Sequence, residues 1–196
     1  KAQPEGLLLE ATQAETFIGK RVPTPDGKLQ LWPEKITQDL LRLQQVSERF
    51  VADTNQLYLI GQRHRRSHNS WMHNNPHIKQ PEGNQALMHP DDAATRGIVE
   101  QSEIQIRSAQ GAVQLKVLLT SDMRPGVIAV PHGWGHQQSK MARAAALKGV
   151  NINEVVPGGE ANMEPVSGQA IMLGHLVDVE CVESSAEYDS EEQTSA

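Results

Sequence analysis

The apolar positions along the chain fall into short runs that stop at glycine or proline. Leu57-Tyr58-Leu59-Ile60 has the length and composition of a buried strand, and Gly61 is expected to break it. Glu103 to Arg107, Val113 to Leu119 and Val127 to Val130 read as further short strands, and His175 to Val182 alternates as a last one. Gly6-Leu7-Leu8-Leu9 has strand character near the start. Pro25-Asp26-Gly27 is a turn signal, and the alternation Lys28-Leu29-Gln30-Leu31 behind it predicts a hairpin. Helical spacing appears after Pro33-Glu34, where Ile36, Leu40, Leu43 and Phe50 recur on one face and Asp39 lies near the positive end. Pro81-Glu82-Gly83-Asn84 reads as a turn. His89-Pro90-Asp91-Asp92 opens a short helix that Gly97 ends, and Lys140 to Lys148 predicts an Ala-rich helix closed by Gly149. Short strands joined by Gly and Pro turns argue for a closed barrel or a sandwich.

The polar stretches carry the candidate chemistry. Behind Gly61, Arg63, Arg65, Arg66 and Lys79 cluster with His64, His68, His73 and His77, and no Asp or Glu occurs between Asp53 and Glu82. Guanidinium groups match phosphate oxygens two at a time, and Ser67, Asn69, Ser70, Asn74 and Asn75 add neutral donors. A solvated basic loop explains the composition equally well. A second feature favours an anion site: Pro131-His132-Gly133-Trp134-Gly135-His136 follows a strand, and glycines around a tryptophan let backbone amides converge into a nest.

Composition narrows the classes. At 196 residues the chain holds one core, which must be aliphatic at 38% hydrophobic and 4% aromatic content. No apolar run suits a membrane span and no signal peptide opens the chain. The first residue is Lys1, as in a processed product or a piece of something longer, so targeting signals can lie upstream. Five of the six net negative charges come from the acids in Glu183 to Ala196; without them 18 bases face 19 acids. That tail is too poor in apolar surface to order itself, so disorder is expected there. A lone Cys181 excludes an internal disulfide framework and is expected to be buried.

Other chemistries find little support. The pairs His64/His68, His73/His77 and His132/His136 share a four-residue spacing, but Pro76, Gly133 and Gly135 spoil the helices that would align them. No metal ligands are assigned. There is no nucleophile elbow, no P-loop and no dinucleotide fingerprint behind a strand, and so no catalytic residue. Trp71 with Arg65 and Arg66 makes a thin platform for nucleic acid, which is not expected as a partner.

The run Gly61-Gln62-Arg63-His64-Arg65-Arg66-Ser67-His68-Asn69-Ser70-Trp71-Met72-His73-Asn74 resembles the opening of the molybdopterin dinucleotide-binding domain. That domain closes the dimethyl-sulfoxide-reductase-family molybdenum and tungsten oxidoreductases. His89-Pro90-x-Asp92-Ala93 to Gly97-Ile98, Met123 to Val127, Pro131 to His136, Val150-Asn151 and Glu164 to Gly168 resemble its later landmarks in the same order, over about residues 4 to 182. His68 stands where the family often has Asn, and Met163-Glu164 where an Asp-Pro-Leu-Ser-like run is usual.

The resemblance implies a β-rich α+β fold, a six-stranded double-psi β-barrel with short peripheral helices. It implies a lead-in arm over 1–54 packed on the barrel, the barrel over 55–182 and the tail over 183–196. It further implies that Gly61, Arg63, His64, Arg66, Ser67, His68 and Asn69 meet the pyrophosphate and guanosine of a molybdopterin guanine dinucleotide. His132, Gly133, Trp134 and Gly135 would line the same cofactor, and Asn151 would approach the pterin. In the parent the cofactor would be bis-molybdopterin guanine dinucleotide. Molybdenum or tungsten would be held by it and by upstream catalytic domains, the expected partners, which this chain lacks. The isolated chain is then expected to turn over nothing, and the parent to be cytoplasmic. A stand-alone double-psi-barrel interaction module without cofactor stays open as the alternative, ahead of a small RNA-binding barrel and a hydrolase.

Overall fold

Six strands close on themselves in the order β1-β5-β2-β4-β3-β6. They are β1 (Leu57–Gln62), β2 (Ala86–Met88), β3 (Glu103–Arg107), β4 (Ala112–Leu119), β5 (Val127–Pro131) and β6 (His175–Cys181). This computed structural model describes residues 22–49, 55–81 and 83–182. The strand expected at Gly6 to Leu9 and the tail from Glu183 lie outside the described residues, as does Phe50. The chain divides into two compact units, Lys1–Phe50 and Val51–Ala196, and the barrel is the second.

Alternation builds the barrel. In β4 the odd positions Val113, Leu115 and Val117 are buried while Ala112, Gln114, Lys116 and Leu118 face out. Leu57 and Leu59, Ile104 and Ile106, Ile128 and Val130, and Val177 and Val179 bring further strands into the same cluster, with Met88 from β2. No Phe, Tyr or Trp belongs to that cluster among the described residues. It is aliphatic, as the low aromatic content requires. Each such side chain contributes roughly 1.5–3 kcal/mol on burial, so the closed sheet holds together without a disulfide or a metal.

Two of the six pairings are parallel, β1 with β5 and β2 with β4, and the rest are antiparallel. This is the mixed, crossed connectivity of the double-psi barrel. The parallel pairing of β1 and β5 matters most for function. It delivers the ends of both strands, Gln62 and Pro131, to the same rim side by side.

Some expectations change. Gly61 does not break β1 but pairs within it, opposite Val130. Strand β2 has only three residues, too few for alternation to be seen in the sequence. The 25–27 turn forms, with the Gly27 amide donating to the Thr24 carbonyl at 2.9 Å, but neither flank is a strand among the described residues. Among the described residues no strand lies across from Lys28 to Leu31. The helix behind it is α1 (Glu34–Arg49). Within its own unit Leu40 and Leu43 remain exposed. Helix α2 (Pro90–Ala94) is as expected: the His89 ring caps it by accepting from the Asp91 amide, and Gly97 turns out at φ 64. The Ala-rich helix is only α3 (Ala142–Ala146). Gly149 does not cap it: the helix ends at Leu147, and Gly149 instead makes a close approach, where a Cβ would meet Asn84 Oδ1 at 2.8 Å and the Trp134 ring at 3.0 Å. Cys181 is half-buried and free.

Candidate functional site

The loop after β1 and the loop after β5 leave the rim together and stay in contact. The His132 amide donates to the Gln62 carbonyl at 3.1 Å, extending the strand register by one residue. The His132 ring then reaches Asn69, Nε2 to Oδ1 at 3.1 Å. Gly133 passes so close to the Asn69–Ser70 peptide that a Cβ would sit 2.7 Å from the Asn69 carbonyl carbon. Its φ of 86 is in the glycine-favouring region. Gly135, at φ 90, makes the same kind of approach to Asn151, 2.7 Å from its Cβ. These two glycines let three loops pack backbone against backbone.

Polar side chains turned inward shape the β1 loop. Ser67 is fully buried, and its hydroxyl donates to the His64 carbonyl at 3.1 Å. His68 and Asn69 take left-handed φ values of 45 and 60, a conformation His and Asn tolerate better than most residues. A single 3-10 turn, Trp71–Asn74, follows. The Gln80 amide closes the loop by donating to the Arg66 carbonyl at 3.1 Å and the Met72 carbonyl at 3.3 Å.

With the loop's polar core internally bonded, its cations face outward. Arg63, Arg65, Arg66 and Lys79 are exposed, and their side chains have no hydrogen-bond or ion-pair partner among the described residues. Two adjoining clefts of about 560 and 540 Å³ share Arg65, Arg66 and Lys79, and no carboxylate lines either one. Four positive charges therefore line adjoining clefts with no neutralising partner among the described residues. That arrangement costs energy unless an anion fills it. Nearby, none of the described residues accepts from the main-chain amides of Gly133, Trp134 or Gly135.

Behind the cations lies an aromatic floor. Trp134 is 3% exposed and packs on His73, with ring centroids 4.4 Å apart, and edge-on to His64 at 6.1 Å. His136 stands 5.5 Å from His73 and hydrogen-bonds the Gly133 carbonyl at 2.8 Å. Burial lowers the His73 pKa first, and the neighbouring His136 and His64 lower it further. Among the described residues no three His, Cys, Asp or Glu side chains gather as a metal site.

The structure thus brings Arg63, Arg66, His68, Asn69, His132 and Gly133 to one rim. It puts Ser67 and Trp134 beneath it, Gly61 in β1, and His64 at the edge of the Trp134 ring. Asn151 reaches the rim only through Gly135, and its side chain accepts from the Asn153 amide at 3.2 Å. Two residues have organising roles that the sequence does not show: Asn84, read only as part of a turn, and Asn74, read as a donor to an anion. Asn84 is 5% exposed and donates to the Pro131 and Val150 carbonyls while accepting from the Val150 amide, at 2.8, 3.1 and 2.9 Å. Asn74 accepts from the Arg143 and Ala144 amides at 3.1 and 3.4 Å, fixing α3 to the β1 loop. Nothing in a single sequence marks an asparagine whose partners lie 47 to 70 positions away.

Barrel and rim together define a double-psi-barrel domain with a cationic rim. The family model described as the molydopterin dinucleotide binding domain matches residues 57–171, more than half of the chain. The chain belongs to that family. It is 24% identical over 153 residues to the probable oxidoreductase YoaE of Bacillus subtilis (strain 168), across 77% of this chain and 22% of that protein. Its fold is similar to that of acetylene hydratase from Pelobacter acetylenicus, with a TM-score of 0.58 and 19% identity over 81% of this chain and 24% of that one. The chain therefore spans about a quarter or less of either relative. Cations and glycine-cradle amides without partners among the described residues, in clefts that no described carboxylate lines, fit the pyrophosphate of such a dinucleotide.

Proposed function

We propose that this chain is the C-terminal cofactor-binding domain of a larger molybdenum or tungsten oxidoreductase, and that its dinucleotide is molybdopterin guanine dinucleotide. The observation that carries the reading is the set of four unpaired cations on the β1 loop, set against the β5 loop on the same rim. Arg63, Arg65, Arg66 and Lys79 would hold the pyrophosphate, with the Gly133 to Gly135 amides as further donors. His132 holds Asn69 in place, and Asn151, packed against Gly135, would lie toward the pterin. When bound, the pterin and its metal supply the redox chemistry, whereas the chain's own residues bind and orient.

The test is a metal and nucleotide analysis of the full natural polypeptide. Molybdenum or tungsten, with GMP released by acid, supports the proposal. A folded protein holding neither overturns it, and the barrel is then better treated as an interaction module. Metal with CMP in place of GMP overturns the guanine part alone.

A further inference from the structure

The acids of Glu183 to Ala196 play no part in the anion site, but the barrel fixes where they start. Strand β6 ends against β3: Cys181 lies opposite Ile104, and the Val182 amide donates to the Glu103 carbonyl at 2.9 Å. The next fourteen residues lie outside the described ones and carry five acids and no base. Glu103 itself lines a third cleft, of about 510 Å³, together with Gln85, Gln101, Lys116 and Lys148. The Lys116 and Lys148 side chains are exposed and have no partner among the described residues. Arg107, also on β3, is already paired with Glu180 at 3.4 Å. Pro81 lines both this cleft and the one that holds Arg63, Arg65, Arg66 and Lys79. A path of cations therefore runs from the root of the tail to the rim. Glu103 is the one carboxylate among the described residues that line the two clefts.

We propose that the acidic tail, Glu183 to Ala196, docks along this path and covers the cationic rim while the rim holds no other anion, so that an incoming anion binds by displacing it. The charges match: five acids without a base meet Lys116 and Lys148 first and then the four cations of the β1 loop. The reach suffices, since fourteen residues span up to about 46 Å when extended and like charges keep such a segment extended. Tethering at Val182 holds the acids at an effective concentration on the order of millimolar, so exposed ion pairs that are weak one by one still occupy the rim together. Displacement is easy for the same reason. The tail supports no core of its own and releases its pairs singly, whereas a phosphate takes a guanidinium fork two bonds at a time. The inference needs only the charge of the rim, and holds whichever dinucleotide or metal the parent carries.

The experiment titrates the full natural polypeptide, purified without cofactor, with inorganic pyrophosphate. It is repeated for Arg66→Ala, for deletion of residues 183–196, and for a neutralised tail carrying Glu187→Gln, Asp189→Asn, Glu191→Gln and Glu192→Gln together. Both tail variants should bind pyrophosphate at least about threefold more tightly at about 20 mM salt. That gain should vanish near about 0.5 M salt, where screening reaches only about 4 Å. A water-soluble carbodiimide, which joins a carboxylate to a lysine amine in contact with it, should link tail acids to Lys79, and pyrophosphate should suppress the link. Natural affinity in both tail variants overturns the proposal, as does a map of carbodiimide links without Lys79. A gain on deletion but not on neutralisation also overturns it, since bulk rather than charge would then cover the rim. If the tail variants bind as the natural protein does while Arg66→Ala binds more weakly, the tail is refuted and the dinucleotide reading stands. Pyrophosphate bound by none of the forms refutes both.

Discussion

Replacing Gly133 with alanine tests the central claim that the rim is built by two backbones in contact. Two costs are separable. The first is conformational: at φ 86 an L-residue pays roughly 1–2 kcal/mol. The second is steric, because the added Cβ would lie 2.7 Å from the Asn69 carbonyl carbon and 3.3 Å from the Ser70 nitrogen. Those neighbours are main chain and cannot rotate aside, so the loop must shift, an overpacking cost of about 1–3 kcal/mol. Gly159 supplies the control, since it has the same φ of 86 and nothing within 4 Å of its added Cβ. Gly158, also unobstructed and without a left-handed φ, supplies the baseline. With a urea m-value of about 2 kcal/mol/M, Gly133→Ala should lower the unfolding midpoint by about 1.5 M. Gly159→Ala should lower it by about 0.7 M, and Gly158→Ala by no more than about 0.25 M. Emission from Trp134, buried beside Gly133, reports the transition. Equal losses for Gly133→Ala and Gly159→Ala would refute the argument, since they would show that the Asn69 contact carries no cost.

Two further outcomes follow from buried polar groups. Asn84→Ala removes three hydrogen bonds and strands the Pro131 and Val150 carbonyls and the Val150 amide, at a cost of about 2–4 kcal/mol in a chemical denaturation curve. A loss under about 0.5 kcal/mol would mean that those groups find other partners. His73 is held neutral in the folded barrel, its pKa below the ordinary 6.5, so the unfolded chain binds the extra proton. Its contribution is therefore whole above pH 6.5 and is lost as pH falls from there through the lower folded value. His73→Phe should flatten that part of the stability-against-pH profile, and an unchanged slope would place the titration elsewhere.

Local chemistry was legible along the chain. The alternation of β3, β4 and β6 and the turn chemistry around Gly97 and Gly126 depend on neighbours in sequence, so periodicity alone finds those elements. The cationic loop was legible for the same reason, its four positive side chains falling within seventeen residues without a carboxylate. Where alternation met no partner strand among the described residues, as at Lys28 to Leu31, or had too few residues to show, as in β2, periodicity misled or fell silent. What only the tertiary structure decided is which loops share a rim. Parallel pairing of β1 with β5 is a long-range choice made by barrel closure, and it sets His132 against Asn69 across 63 positions. The same closure turns Gly133 and Gly135 into points of backbone contact and Trp134 into a floor. It gives Asn84 and Asn74 partners that no neighbour in sequence could supply. Side-chain type decides what a residue can bind, and closure of the sheet decides what it can reach.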